Sequence, residues 1–367
     1  MKKLYPFIIM MAAALVACDP VQPDTKPDEG QKPAVEGKIT LSVDREIIMA
    51  NNEYAANLLV TVMDSLGVAH DVTADVELYC DGQMDPLTSS EFKTETEGEF
   101  SFYAVNGFDI SNTVTVRAVK GAKPIPADCD TSGTVFRHRM LLLQHTGTEC
   151  PNCPRLMTEL RYLSEDEKYN GLYQHVALHS YNASDPAYSA AAATLSKSFD
   201  VNTYPWLTYN LTSKSELNFD NIRNTIDGLY QESAAAGVSA AVGLSGNYIT
   251  VNASLKAGKG GKYRLAAWLL EDGIRGAQSG AQAQWQNMHE NCLRKMIGTN
   301  KTEFVYGKNL GEFKAGEIKD LLMVFDLEEQ WKGQNCKVLL IAVDAETYEL
   351  ITCSVCPVDG SINYEYL

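Results

Sequence analysis

The chain is 367 residues long, 45% hydrophobic and 21% charged. This length is enough for two or three domains of roughly 100–200 residues, and the apolar content lets each bury a core, which excludes a chain that is disordered throughout. The formal net charge of -16 repels phosphate backbones, and therefore excludes nucleic-acid binding as a main role.

The N-terminus has the pattern of a secretory signal. Two lysines precede an apolar run, residues 4–17, that is shorter than the roughly 20 residues a membrane-spanning helix needs. The end of this run, Leu15-Val16-Ala17-Cys18, resembles the lipobox of bacterial lipoproteins. The resemblance implies removal of residues 1–17 and lipidation of Cys18, and two or more acyl chains would anchor the protein stably in a membrane. The alternative is a secreted protein in which Cys18 is incidental.

Residues 18–37 are acidic, rich in proline and nearly free of apolar residues, which predicts a solvated tether. Residues 38–120 alternate apolar and polar side chains in short runs separated by Gly-containing turns, a pattern typical of an antiparallel β-sandwich. This segment resembles bacterial Ig-like modules, and the resemblance implies a spacer or adhesive unit. Residues 121–134, with two prolines, are predicted to be a linker.

Between residues 135 and 236 strands alternate with helices, which predicts an α/β layer structure. Strands are expected at 140–143, 175–179 and 206–209, and helices after residue 153, at 187–199 and at 220–236. Residues 237–367 return to strands and predict a C-terminal all-β sandwich. Its strands are expected at 238–244, 248–255, 263–270, 321–325, 338–343 and 350–355, with a mostly irregular stretch at 271–304 that contains a short helix around 284–296.

A Cys-x-x-Cys pair, Cys150 and Cys153, lies between the first of these strands and an amphipathic helix. In this context such a pair is typical of a thioredoxin-like redox site. Because Cys150 would lie at a helix N-terminus, backbone N–H groups and the helix dipole would favour its thiolate. Cys153 would be the resolving thiol. Arg155 adds positive charge nearby and Glu149 opposes it.

The resemblance to thioredoxin-like domains extends to Tyr204-Pro205, which precedes the third strand. Such domains carry a cis-proline at this place, and the resemblance implies that Tyr204 and Pro205 shape a substrate groove. Two positions depart from the pattern. Glu149 stands where classical thioredoxins have Trp, and Gln144, which cannot accept a proton at neutral pH, stands where they bury an Asp. His145 or His179 could replace that Asp, although a single His on a strand is usually a satisfied core residue.

The remaining cysteines leave several interpretations open. After Cys18 the chain holds eight cysteines, an even number that suits a disulfide set in an exported protein. Possible pairs are Cys80 with Cys129, Cys336 with Cys356, and Cys292 with Cys353. Alternatively, Cys353 and Cys356 could join the Cys150/Cys153 pair in a four-thiolate zinc site, or the Cys150–Cys153 disulfide could be a structural clip in an inert scaffold. No phosphate-binding or metal motif occurs elsewhere, and we expect no cofactor and no metal.

The order of these segments resembles the 28-kilodalton outer-membrane protein family of Bacteroides-type bacteria, over residues 135–367. The resemblance is carried by residues 146–154, Tyr204-Pro205, residues 268–273 and residues 289–294. It implies an outer-membrane lipoprotein, on the periplasmic or the cell-surface face, whose partners are the membrane and exported or surface proteins. The sequence therefore predicts three folded domains, an Ig-like β-sandwich, a thioredoxin-like α/β domain and a C-terminal β-sandwich. Two functions follow: thiol–disulfide exchange on exported proteins, or non-enzymatic binding, adhesion or support at the cell surface.

Overall fold

A computed structural model describes residues 35–212, 215–216 and 221–367. The predicted signal peptide, Cys18 and most of the predicted tether lie outside these residues. Strands make up 43% of the described part of the chain and helices 14%, so the protein is mostly β.

The strands are β1 Ile39–Val43, β2 Ile47–Met49, β3 Ala56–Met63, β4 Ala69–Asp71, β5 Glu77–Cys80, β6 Glu91–Phe92, β7 Gly98–Asn106, β8 Asp109–Ile110, β9 Val114–Val119, β10 Phe136–Arg137, β11 Met140–Thr146, β12 Tyr173–His179, β13 Trp206–Tyr209, β14 Ser215–Glu216, β15 Ser233–Ala234, β16 Ala236–Ser245, β17 Tyr248–Ala257, β18 Gly261–Glu271, β19 Ile274–Arg275, β20 Met288–His289, β21 Cys292–Met296, β22 Lys308–Phe313, β23 Ile318–Asp326, β24 Cys336–Asp344, β25 Leu350–Pro357 and β26 Ser361–Ile362. The α-helices of the described residues are α1 Cys153–Ser164, α2 Ala190–Ser198, α3 Ile222–Leu229 and α4 Lys301–Tyr306.

The described chain divides into two compact units. The first holds residues 35–42, 59–88 and 102–113. Within it β4 pairs with the end of β3 and β5 pairs with β7, both antiparallel. Gly67 and Gly82 have φ angles of 79° and 80°, a conformation that glycine adopts at no steric cost, so two of the Gly-containing turns expected between residues 38 and 120 are confirmed.

The second unit holds residues 43–58, 89–101 and 114–367, and its largest element is a nine-stranded mixed sheet. Its strands run in the order β14-β13-β11-β12-β21-β18-β24-β25, and β22 also pairs with β18. A four-stranded antiparallel sheet has the order β23-β17-β16-β26. Apolar side chains of β16, β17 and β23 form one buried cluster with those of β18, β24 and β25, so the two sheets enclose a common core at this end.

At the other end of the nine-stranded sheet, helices cover both faces. All seven residues of β11 are buried. Leu141 and Leu143 pack in a cluster with residues of α2, whereas Met140 and Leu142 pack with residues of α1 and α3. A strand buried on both faces explains why its sequence is a continuous apolar run and does not alternate.

The predicted fold class is wrong. The strands of the expected thioredoxin-like segment do not form an α/β domain of their own in the described residues, because β12 pairs in parallel with β21 through Ala177 and Cys292. β21 in turn pairs with β18, so strands expected in two different domains share one sheet. The prediction failed at residues 284–296, where a helix was expected and a short 3₁₀ turn, β20 and β21 are found.

Most other predicted elements are present, with shifted ends. The helix expected at 220–236 ends at Leu229, and the residues after it form β15 and the start of β16. Residues 121–134, all of them described, contain no helix or strand. The domain boundaries of the sequence analysis stay predictions.

Candidate functional site

The Cys150–Cys153 pair lies where β11 passes into α1, and the two cysteines form a disulfide with 5.4 Å between their Cα atoms. Cys153 is the first residue of α1, and Pro154 follows in the first turn, where its missing N–H group leaves no hydrogen bond unmade. The amide of Cys150 donates to the carbonyl of Gly147 over 3.1 Å. Leu156 and Leu163 are fully buried under α1 and fix the helix against the sheet.

The predicted groove residues lie beside this pair. The Tyr204–Pro205 peptide bond is cis, and Pro205 directly precedes β13. Tyr204 and Pro205 line a cavity of about 610 Å³ together with Pro151 and Asn152 of the Cys-x-x-Cys segment. The structure therefore places the two proposed groove residues in one cavity with the residues between Cys150 and Cys153, although neither cysteine lines that cavity.

Both sulfur-bearing residues are nevertheless covered: Cys150 is 1% exposed and Cys153 is 0% exposed. Residues 276–286, which we call the covering loop, lie against the backbone of the segment that holds the pair. Gln278 in this loop is 6% exposed, and its Nε2 donates to the carbonyl of Cys150 over 2.9 Å and to that of Gly147 over 3.3 Å. Because both cysteines are buried, a chemical reagent in solution can reach the disulfide only when a neighbouring segment moves.

Further contacts hold the covering loop on the segment around the disulfide. The Ser279 amide donates to the Thr148 carbonyl over 2.7 Å, and Gln286 Nε2 donates to the Pro154 carbonyl over 3.0 Å. Gly280 has a φ of 71°, and a Cβ atom there would overlap the carbonyl oxygen of Pro151. Glycine is thus required where the loop lies against the Cys-x-x-Cys backbone.

A buried carboxylate supports the segment from the other side. Asp185 Oδ2 accepts from the Thr148 amide and from His179 Nδ1, both over 2.7 Å. Its other oxygen accepts from the Ala187 amide over 2.8 Å. Burial opposes ionisation of Asp185, but the hydrogen bonds from His179 and the two amides outweigh it and lower its pKa to about 2. Asp185 therefore stays ionised and fixes the backbone two residues before Cys150.

The residues proposed to tune the pair have other roles. His145 is fully buried and hydrogen-bonded to Ser196 and Thr208, and burial lowers its pKa to about 3; it is a neutral core residue. His179 is hydrogen-bonded to Asp185 through its Nδ1 atom. The Glu149 carboxylate accepts hydrogen bonds from Ser184 and Asn182.

The other described cysteines are free thiols, and none of the proposed pairs Cys80–Cys129, Cys336–Cys356 and Cys292–Cys353 is formed. Cys150 and Cys153 are bonded to each other, and the described residues contain no group of three or more His, Cys, Asp or Glu side chains that could hold a metal ion, so the four-thiolate zinc site is not formed. Cys353 Sγ lies 3.6 Å from the carbonyls of Arg139 and Met140. Burial raises the pKa of Cys353 and of Cys336 to about 12, so these thiols are inert. Cys129 differs because it is exposed.

Sequence reasoning missed the covering loop and Asp185. The stretch at 271–304 was expected to be mostly irregular, and an irregular segment carries no periodic signal that would show where it packs. The one signal in the sequence was three glycines, Gly273, Gly276 and Gly280, spaced through a segment without prolines.

Comparison with known proteins gives structural neighbours only. No family model and no curated protein matches the chain. HBP35 of Porphyromonas gingivalis matches 61% of this chain and 76% of its own length, with 18% identity and a TM-score of 0.51. A domain of the outer membrane lipoprotein Omp28 from Porphyromonas gingivalis matches 34% of this chain and 89% of its own length, with 17% identity and a TM-score of 0.25.

At these identities the match to HBP35 shows a shared fold over the matched part. Both neighbours come from Porphyromonas gingivalis. Within the described residues, no helix is long and apolar enough to cross a membrane.

Proposed function

We propose that the chain is a lipoprotein of a bacterial outer membrane, anchored by acyl chains on Cys18. The lipobox resemblance at residues 15–18 supports this proposal, and so does the outer-membrane origin of the Omp28 neighbour. In cells that process lipoproteins, replacing Cys18 by Ser should move the protein from the membrane fraction to the soluble fraction. Retention of the Cys18→Ser protein in the membrane fraction would contradict lipid anchoring.

The proposed activity is thiol–disulfide exchange with exported or surface proteins. A substrate thiolate attacks Cys150 Sγ, the Cys150–Cys153 bond breaks, and Cys153 leaves as a thiolate that takes up a proton. A second substrate thiol, after losing its proton, attacks the mixed disulfide and releases Cys150 as a thiolate. The substrate dithiol has then become a disulfide, and the protein disulfide has become a dithiol. The reverse sequence reduces a substrate disulfide.

The observation that carries this proposal is the position of the disulfide, at the start of α1 and beside the cavity of about 610 Å³ lined by Tyr204 and Pro205. The positive end of a helix dipole stabilises a thiolate formed there, and a cavity beside the pair offers a place for a peptide. Exchange also requires the covering loop to open, since both cysteines are buried with the loop closed.

The same burial favours a second candidate, a binding or structural lipoprotein at the cell surface in which Cys150–Cys153 is only a structural clip. In that case the covering loop is a permanent part of the core, and replacing the cysteines changes stability alone.

A trapping experiment distinguishes the two candidates. Residues 19–367 are prepared with Cys129→Ser, so that the exposed thiol does not react, and with Cys153→Ser or Cys150→Ser in addition. Each protein is incubated with oxidised glutathione and its mass is measured. We expect a stable mixed disulfide on Cys150 in the Cys153→Ser protein and much slower reaction in the Cys150→Ser protein. No adduct on either protein, with both of them folded, favours the structural clip.

A further inference from the structure

A second cavity, of about 590 Å³, lies next to the redox segment but is lined by different residues. Its floor is formed by the ends of β11 and β12, its walls by α1 and by residues 285–291. Gln144 and Thr146 project into it from β11, and His175, Ala177 and His179 project from β12. Alternate residues of a strand point to the same face, so these side chains form one continuous surface.

Two polar atoms at this floor lack partners. Gln144 is 4% exposed and Thr146 is 2% exposed, and among the described residues neither Gln144 Nε2 nor Thr146 Oγ1 has a hydrogen-bond partner. Leaving such a buried group unpaired costs about 1–3 kcal/mol, so buried polar atoms are normally satisfied. Two of them in one cavity indicate a site built for a hydrogen-bonding ligand.

The orientation of Gln144 is fixed by its neighbour. His175 Nε2 donates to Gln144 Oε1 over 2.9 Å, and Asn291 Nδ2 lies 3.4 Å from the other ring nitrogen of His175. The amide group of Gln144 therefore presents its N–H₂ group to the cavity. That group is a donor only, so the matching ligand atom is an acceptor oxygen or nitrogen.

Three imidazoles line the cavity, those of His175, His179 and His289. Burial lowers the pKa of His175 and of His289 to about 4, so both imidazoles are neutral. The rings of His179 and His289 lie edge to face, with centroids 4.8 Å apart. The neutral rings of His175 and His289 therefore carry no charge that would offset the desolvation of an anion.

The walls of the cavity are mostly apolar, and its rim carries charged side chains. Met157 and Leu160 of α1 and Trp285 and Met288 of the opposite wall supply apolar surface. At the rim Arg161 lies over the Trp285 ring, 4.8 Å from its centroid, and its Nε donates to Glu165 over 2.9 Å. Glu290 also lines the cavity and would repel an anion.

We propose that this cavity binds an uncharged amphipathic small molecule, with an aromatic or aliphatic body against α1 and Trp285 and an acceptor oxygen on Gln144 Nε2. This binding is separate from the redox proposal, because the cavity lining includes neither cysteine of the pair nor Tyr204 and Pro205.

The test uses the fluorescent ketone prodan, which is uncharged, aromatic and carries one carbonyl acceptor. Titrated with residues 19–367, prodan should show a blue-shifted emission that saturates at one molecule per chain in the micromolar range. In competition, 2-acetylnaphthalene should displace prodan at least tenfold better than 2-naphthoate, which has nearly the same size and shape but carries a negative charge. No saturable binding by the folded protein, or equal displacement by the two competitors, overturns the proposal.

Two variants locate the binding. Gln144→Met keeps the side-chain length but removes the donor, and it should weaken prodan binding about fivefold to tenfold. Ala177→Leu fills the floor and should abolish binding while the protein stays folded. Gln231→Met, an exposed substitution of the same type, is the matched control and should bind like the unchanged protein. Unchanged binding by folded Ala177→Leu would place the prodan elsewhere and overturn the assignment.

Discussion

We expect the rate at which the disulfide is reduced to depend on how often the covering loop opens. The substitution Gln278→Ala tests this dependence. The Gln278 side chain donates to the Cys150 and Gly147 carbonyls in the closed loop. It also has an acceptor oxygen, Oε1, with no partner among the described residues. Alanine removes the hydrogen bonds to these two carbonyls and to that of Ser279 together with the unpaired oxygen, so the net loss is smaller than that of the hydrogen bonds alone.

Taking a net contribution of about 1–2 kcal/mol for this pair of contacts, the variant should raise the equilibrium population of the open loop roughly 5–30-fold. If dithiothreitol reacts only with the open form, and opening and closing are fast, the rate of reduction rises by the same factor. The free energy of unfolding should fall by about the same 1–2 kcal/mol, because the contacts are lost from the closed folded state and are absent from the unfolded one.

The assay is reduction by dithiothreitol, stopped at intervals with an alkylating reagent and followed by mass. Gln284→Ala is the matched control, because Gln284 lies in the same loop with an exposed side chain, and it should reduce at the unchanged rate. A folded Gln278→Ala protein that is reduced no faster than the control would refute the idea that these contacts keep the disulfide closed.

Three further substitutions test the account. Asp185→Asn should destabilise the protein by about 2 kcal/mol at pH 7, because the Asp185 pKa falls from 3.8 to about 2 on folding. This contribution is present above about pH 4 and is lost as the pH falls towards 2, so the free energies of urea unfolding of the two proteins should converge in acid. A constant difference between them down to pH 2 would contradict this reasoning. Gly280→Ala places a Cβ against the Pro151 carbonyl at a positive φ, which costs about 1–2 kcal/mol. The substitution should therefore speed reduction of the disulfide. An unchanged alkylation time course would argue against a closed contact between Gly280 and Pro151 in solution. Leu156→Ala leaves a cavity under α1, since Leu156 is 0% exposed, and should cost about 2–5 kcal/mol in urea unfolding; a loss below about 1 kcal/mol would mean that α1 is not packed as described.

The local structure around the Cys-x-x-Cys segment was readable from the sequence because its signals are local. The apolar run at 140–143, the leucine spacing after Cys153 and the position of Tyr204-Pro205 depend on residues close in the chain, and the structure has β11, α1 and β13 at these places. Tyr204 and Pro205 do reach the cavity beside the disulfide.

The architecture was not readable because it depends on one short strand. β21 lies within residues 284–296, where a short helix was expected, and it contains Arg294, which is buried and whose Nε donates to Glu271 over 2.7 Å. Local sequence cannot show that a buried ion pair satisfies such a charge. Because β21 was not predicted, the two halves of the sheet were assigned to different domains. For the same reason the covering loop, which precedes β21, was not placed next to the Cys-x-x-Cys segment.

The central claim, an exchange-active Cys150–Cys153 pair, is tested most directly by its reduction potential. The measurement needs residues 19–367, because β12 pairs with β21 and a fragment ending at residue 236 would lose that pairing. The protein is equilibrated in glutathione buffers, its free thiols are alkylated, and the oxidised fraction of the pair is read by mass. An exchange-active Cys150–Cys153 pair should have a reduction potential between roughly −120 and −270 mV, the range of working exchange proteins. A value below roughly −300 mV would mark a structural disulfide and contradict an exchange activity of this pair.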